Sequence, residues 1–412
     1  MVDSESSKTP PQNPPPARPP EGNEPPRVNS LRELIDLVTG RNLPPEPPAS
    51  SAGPAENYAF PFLALVGQED MKLALMLALI NPWLGGVLLI GPRGTGKTTA
   101  VRGLVDLLPE TQRSACPYGC LPEDIEAGGI DAVCPDCARK YGQGLPLTVA
   151  ERAQLIELPP NARLEDVIGG LDEGAAPSSR PRLRPGVLAQ ADQNILYIDE
   201  VNRVADEVLL AILNTAAQGH YSVPRGATSA TYNACFTLIG SMDPEENSLR
   251  PQVMDHFGLR VIVRGLTDPA ERLEAYHRAR AYRTHSQGMA AQFEAETQLA
   301  RQELQSARQL LPTVQIADNA AQAGMELIHR LGIDSLRAEI TLFEAARAYA
   351  AADGRSRVDK NDVRTLARLA LRLRPSKFME NYLQERAAED DRLATLIDEV
   401  IPNDQEDDPG PG

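Results

Sequence analysis

The sequence predicts an α/β fold, in which a core with a parallel sheet covered by helices precedes an all-α unit. Three observations predict it. The loop Gly91-Pro92-Arg93-Gly94-Thr95-Gly96-Lys97-Thr98 directly follows the apolar run Val87–Ile90 and precedes a helical stretch, Thr99–Leu108. A second apolar run, Ile195–Ile198, ends in Asp199-Glu200, as expected of a parallel strand buried on both faces. Strand-like and helical stretches alternate as far as residue 267, and from Asp268 the pattern is wholly helical, which separates a layered core from a helical one.

The glycine loop fits G-x-x-x-x-G-K-[ST], and its flanks give the pattern mechanical meaning. Glycines at 91, 94 and 96 let the backbone fold round phosphate with its N–H groups pointing at oxygen. Lys97 is expected to reach the β- and γ-phosphates and the Thr98 hydroxyl to ligate Mg²⁺, with Pro92, Arg93, Thr95 and Thr99 completing the loop. Asp199 is expected to hold the Mg²⁺ with its waters, and Glu200 to polarise the attacking water. A second acid has a role only when water is the nucleophile, so the pair favours hydrolysis of ATP over transfer to another acceptor.

The remaining strands are expected at Leu155–Leu158, Cys235–Gly240 and Leu259–Val263, with a hairpin from Tyr221 to Tyr232 before the second of these. Helices are expected at Met71–Leu79, Ala270–Arg283, Ala290–Leu311, Asn319–Leu331, Leu336–Ala352 and Lys360–Leu373, the last opened by a capping box at Asp359 and Asp362. Residues 1–55 hold fourteen of the 36 prolines, a composition that cannot bury enough apolar surface to order itself. One island there, 29–40, has a cap, an apolar stripe and a stop glycine, and reads as a short helix that docks on its own body or on a partner. The expected division is a Pro-rich tail over 1–55, a core over 56–267, a helical linker over 268–315, a helical lid over 316–376 and an acidic tail over 377–412.

Length and charge exclude several classes. At 412 residues, more than one core is the natural expectation. A net charge of −16 argues against tracking along nucleic acid, which calls for a basic stripe. No apolar run approaches a membrane span, and the N-terminus lacks a secretory layout. The reading is therefore of a cytoplasmic chain with reduced thiols.

Four of the five cysteines fall in one insert, 113–145: Cys116 and Cys120, then thirteen residues, then Cys134 and Cys137. Two close pairs are the pattern of a tetrahedral Cys₄ zinc site of structural kind, a zinc knuckle. An iron–sulfur cluster would use the same ligands, and unligated thiols are the remaining alternative. Cys235 reads as packing within a core strand, and the five histidines have no metal spacing.

An α/β ATPase core followed by a helical lid is an AAA+ layout, and particular words narrow it. Phe60-Pro61-Phe62, Val66-Gly67-Gln68-Glu69, Gly85-Gly86-Val87, the run from Ile195 to Asn202, Leu249-Arg250-Pro251-Gln252 and Asp334-Ser335-Leu336-Arg337 resemble the ATPase subunit of magnesium chelatase from about Tyr58 to Pro375. The resemblance implies a hexameric ATP-driven ring. It implies an integrin-domain AAA+ subunit and a large porphyrin-binding subunit as partners, and Mg²⁺ insertion into protoporphyrin IX as the task. It also implies inserts at Asn161–Pro185 and Gly219–Tyr232, and that Arg337 is a lid arginine touching the γ-phosphate of the same subunit.

Two departures from the family pattern stand out. Asp243 replaces an asparagine, and a carboxylate cannot donate to the phosphate or the water. His256 replaces an arginine finger worth on the order of 10³–10⁵ in rate, leaving Arg250 or Arg260 to face a neighbouring site. Two further readings follow: a MoxR-like ATPase working with a von Willebrand-type partner, and a nucleotide-gated scaffold that scarcely hydrolyses ATP.

Overall fold

The computed structural model describes residues 58–108, 110–116, 120–172, 182–225, 228–246, 249–374 and 392. The Pro-rich segment 1–55 with its expected helix at 29–40, and the acidic tail 377–412 except for residue 392, lie outside the described residues.

Five strands build the central sheet: β1 (Val87–Ile90), β2 (Leu155–Glu157), β3 (Ile195–Ile198), β4 (Thr237–Met242) and β5 (Leu259–Ile262). Their order is β5-β1-β4-β3-β2, and every pairing is parallel. In β1, β3 and β4 every residue is buried, which is why β1 and β3 read as unbroken apolar runs rather than as alternation. Successive side chains still part to opposite faces. Val87, Leu89, Ile195, Tyr197 and Ile239 enter one core, while Leu88, Ile90, Leu196, Ile198 and Leu238 enter the other.

Helices cover both faces. From Met71 onward α1 (Glu69–Ile80) is apolar on nearly every side apart from the buried Lys72, and it packs between the sheet and the helical unit, as so apolar a helix must. α2 (Lys97–Gly103) follows the glycine loop and α3 (Asp206–Gln218) lines the second core through Val208, Leu209, Ile212 and Leu213. Beyond β5 come α4 (Pro269–Thr284), α5 (Glu294–Leu310), α6 (Asp318–Arg330), α7 (Arg337–Ala352) and α8 (Lys360–Leu371). Leu304, Leu342 and Leu366 of α5, α7 and α8 join the same core as α1, so the helical unit packs behind the sheet. Asp268 caps α4, and Asp359 and Asp362 form the expected capping box of α8.

Three antiparallel strand pairs decorate this frame. Glu110–Ser114 with Thr148–Arg152 carries the cysteine insert, Gly169–Asp172 pairs with Arg182–Pro185, and His220–Arg225 pairs with Thr228–Asn233.

Two expectations are corrected. The helix expected over Ala290–Leu311 breaks at Phe293 into Ser286–Gln292 and α5. Phe293 leaves helical geometry (φ −101°, ψ 5°) and is buried, with the Arg278 guanidinium 5.9 Å from its ring centroid. Cys235 precedes β4 and is exposed, so it is not core packing; its Sγ lies 3.7 Å from the Gly219 carbonyl oxygen.

Candidate functional site

Parallel strands end on one edge of the sheet, and the loops leaving those ends form the crevice where such folds take their ligands. β1 delivers the glycine loop there, β3 delivers Asp199 and Glu200, and β4 delivers Ser241, Met242 and Asp243. The resulting crevice has a volume of about 240 Å³. Gly96 sits at φ 87°, the left-handed region that glycine enters freely. At Gly91 a Cβ would overlap the Val263 carbonyl, so this position accepts only glycine because β5 runs so close.

Lys97 is nearly buried and donates from Nζ to the carbonyls of Gly91 (2.6 Å) and Pro92 (2.8 Å). Burial holds its ammonium below the ordinary lysine value, against the pull of Asp243 and Asp199. Thr98 Oγ1 lies 3.2 Å from the Tyr197 hydroxyl and 3.5 Å from Asp199 Oδ2. The Tyr197 hydroxyl, in turn, is 2.9 Å from Asp199 Oδ1 and 3.1 Å from Ser241 Oγ, and Ser241 Oγ also donates to Asp199. Burial pushes the Tyr197 phenol up to about 12, so it remains a neutral donor at neutral pH. A hydroxyl and a carboxylate so held form a donor set that fits a small hard cation, which takes oxygen ligands.

Sequence pattern alone does not mark Tyr197 or Ser241 as a site residue. Tyr197 sits inside an apolar run and reads as core; only its place two residues before Asp199, on the same face of the strand, signals the role.

Asp243 is buried at the crevice wall. Its Oδ1 accepts from the Glu245 amide at 3.1 Å, and its own carbonyl accepts from Asn202 at 3.4 Å. It thus brings a carboxylate, not an amide donor, beside Lys97. A second cleft of about 470 Å³ continues from Gly94–Gly96 between Phe60, Leu65, Gln68, Leu266 and Tyr282. Gln68 is held there by a 2.6 Å hydrogen bond to the Arg264 carbonyl. Its size and apolar walls suit a nucleobase with its ribose.

The other expected site residues gather elsewhere. Arg337 pairs with Asp255 at 3.6 Å and stands beside half-buried His256; neither lines the phosphate crevice. Contact of Arg337 with the phosphates bound by its own Lys97 is therefore not what this arrangement provides. The reason lies in the lid packing: Asp255 also binds Arg374 (2.8 Å) and Ser335 (2.9 Å), which ties the start of α7 to the segment before β5. Burial, and secondarily Arg337, lower His256 below the usual imidazole value, so at neutral pH it carries no charge. Arg260 is withdrawn from any neighbour: its side chain is 1% exposed and donates to the carbonyls of Arg372 and Leu373. Arg250 is exposed and pairs with Asp206.

The four insert cysteines converge. All four sulfurs lie within 4.8 Å of one another, with Cys116 Sγ 3.8 Å from Cys120 Sγ and 3.5 Å from Cys134 Sγ. None of the four is in a disulfide. The hydrogen bond from Cys116, then burial, raises Cys120, and burial followed by the neighbouring sulfurs pushes Cys137 up to about 12. Crowded thiols that resist becoming thiolates together are a donor set that a soft cation relieves, and the cluster fits a bound metal ion.

Residues 173–252 match the family described as magnesium chelatase, subunit ChlI, and residues 322–395 match the AAA lid domain. A magnesium-chelatase subunit ChlI homolog of Methanocaldococcus jannaschii is 38% identical over 344 residues, spanning 83% of this chain and 92% of that one. The magnesium-chelatase 38 kDa subunit of Acidiphilium rubrum is 40% identical over 317 residues, spanning 76% and 90%. A crystal structure from Cytophaga hutchinsonii, 18% identical, covers 84% of this chain and 87% of that chain with a TM-score of 0.50, a likeness of fold alone.

Proposed function

This chain belongs to the magnesium-chelatase subunit ChlI family, and from that premise we propose that it is the ATP-hydrolysing AAA+ subunit of a complex that inserts Mg²⁺ into a porphyrin. The observation that carries the proposal is the meeting of Lys97, Thr98 and Asp199 at the ends of β1 and β3, with Glu200 alongside. Lys97 binds the β- and γ-phosphate oxygens of ATP. Thr98 and Asp199 hold the Mg²⁺ that accompanies the nucleotide, and Tyr197 and Ser241 fix the orientation of the Asp199 carboxylate. Bound there, the ion neutralises charge that develops on the phosphates. Glu200 orients and polarises the attacking water.

The remaining assignments follow from chemistry and position. The cysteine cluster takes a structural Zn²⁺, because a ZnS₄ tetrahedron with Zn–S near 2.3 Å has S–S edges of about 3.8 Å, close to the 3.8 and 3.5 Å separations here. His256, Arg250 and Arg337, absent from their own crevice, serve the nucleotide of an adjacent copy in a hexameric ring. Partners of the ring are an integrin-domain AAA+ subunit and a large porphyrin-binding subunit. Among the described residues no helix is long and apolar enough to cross a membrane.

The test is reconstitution with those two subunits from the same source, following porphyrin metallation by fluorescence. ATP-dependent metallation that requires this chain is expected; the same yield without it overturns the proposal. Buried Asp243 and neutral His256 favour a second reading, a nucleotide-gated scaffold with slow hydrolysis. On that reading Asp243→Asn with His256→Arg raises ATP turnover steeply, since a finger supplies on the order of 10³–10⁵ in rate. No gain from the double change removes that reading.

A further inference from the structure

Glu200 is engaged on both carboxylate oxygens. Oε1 accepts from Arg93 Nη2 at 2.9 Å, and Oε2 lies 2.8 Å from Arg203 Nη1. Both guanidiniums also bind Glu246: Arg93 by a direct ion pair, Arg203 at 3.0 Å from Nε and 2.8 Å from Nη2. Two arginines and two glutamates thus close a ring of ion pairs. Its members come from the glycine loop (Arg93), the short turn after β3 (Glu200 and Arg203) and the loop after β4 (Glu246). Glu200 itself has a left-handed backbone, φ 51°, which sets the direction in which its side chain departs. Arg93 and Glu200 line the phosphate crevice, whereas Arg203 and Glu246 stand outside it. The outer half of the ring therefore draws the carboxylate toward the rim.

The geometry points to a gate on hydrolysis in which Arg203 is the positioning residue that parks Glu200, and Glu246 is the counter-charge that sets how firmly. Parked, both carboxylate oxygens face guanidiniums and not a water over the terminal phosphate. A triphosphate carries more charge than either glutamate and competes for Arg93, so loading of the crevice loosens one restraint and leaves Arg203 as the last. Glu246 shares both arginines with Glu200. Neutralising Glu246 turns both of them fully onto Glu200 and tightens the hold, while removing Arg203 releases it. Two changes in one network then move the rate in opposite directions, which a general loosening of the loop does not do.

The gate rests on the reading of Glu200 as the residue that polarises water, and the test separates the two. Single-turnover hydrolysis of radiolabelled Mg²⁺-ATP by the full chain resolves slow rates and is run on the unmodified protein, Arg203→Ala, Arg203→Lys, Glu246→Gln and Glu200→Gln. The Arg203 side chain is 55% exposed, so its loss leaves the fold intact. Arg203→Ala is expected to raise the saturated rate about two- to fivefold, the range of an ion pair between partly exposed groups, with the half-saturating ATP concentration shifted by less than about twofold. Glu246→Gln is expected to lower the rate by a similar factor, and Arg203→Lys, which keeps one ion pair, to stay near the unmodified protein. A fall or no change with Arg203→Ala, or a change of the same sign in Arg203→Ala and Glu246→Gln, overturns the gate alone. An unmodified protein no faster than Glu200→Gln overturns the assignment of Glu200, and the gate with it.

Discussion

The phosphate crevice and the cysteine module hold their chemical groups by different means. In the crevice, position is inherited from a sheet whose central strands are wholly buried; Asp199 and Ser241 stand opposite each other because β3 and β4 are paired neighbours. The module has almost no core of its own. Among the described residues its buried cluster is Cys120, Val133, Cys137 and Leu147, and Cys120 and Cys137 are themselves proposed metal ligands. Ordering a loop costs about 1–2 kcal/mol per residue, which such a cluster cannot offset without a bound ion. Damage lands differently in the two: in the crevice a lost side chain costs chemistry, in the module a lost sulfur costs structure.

Breaking the module is expected to give the largest effect. Cys134→Ser should remove bound zinc, measured by metal analysis, because apparent free energies of structural zinc binding run to about 10–16 kcal/mol and depend on the full ligand set. Limited proteolysis should then cut within 113–145, while nucleotide affinity changes by less than about twofold. Parallel loss of nucleotide binding would erase the contrast drawn above.

Lys97→Ala is the converse. A charged hydrogen-bonding group is worth about 1.5–3 kcal/mol, so ATP binding by calorimetry should weaken about 10- to 100-fold, with zinc content and thermal midpoint unchanged. An unfolded variant would mean that Lys97 is structural.

A second buried lysine sharpens the point. Lys72 on α1 is 2% exposed, and its Nζ has no hydrogen-bond partner among the described residues. Burial, with Arg278 adding to it, lowers its pKa from 10.5 to about 8. The unfolded chain then binds this proton more tightly than the folded one, so stability is reduced in full below about pH 8 and recovers as pH rises toward 10.5. Lys72→Met should raise the thermal midpoint at pH 7, by an amount corresponding to roughly 2–3 kcal/mol, and the gain should shrink above pH 8. A gain independent of pH would mean that packing, not charge, limits stability there.

Sequence reasoning reached the parts of this molecule that local pattern encodes. The glycine loop, the apolar strands and the paired cysteines each sit within a short stretch of chain, and β1 and β3 fall on the residues expected. What it missed depends on tertiary packing. Tyr197 looks like any apolar strand residue until β4 brings Ser241 beside it. Arg260 reads as a residue left to face a neighbouring site, yet the chain after α8 folds back to accept its hydrogen bonds across more than a hundred residues. Arg337 illustrates the same limit: a lid arginine can be recognised from its neighbours in sequence, but which nucleotide it faces is decided by how α7 docks on the segment holding Asp255. The break at Phe293 comes from a ring seeking the core, against flanking Ala, Gln and Glu residues that favour helix.

The central claim is that the crevice hydrolyses ATP with Glu200 activating the water. The most direct measurement is steady-state Mg²⁺-ATP hydrolysis by the zinc-replete full chain, with Glu200→Gln prepared and assayed in parallel. The account predicts a rate that Glu200→Gln lowers by about 10²-fold or more while ATP still binds. Equal rates from the two proteins at equal ATP occupancy would contradict it.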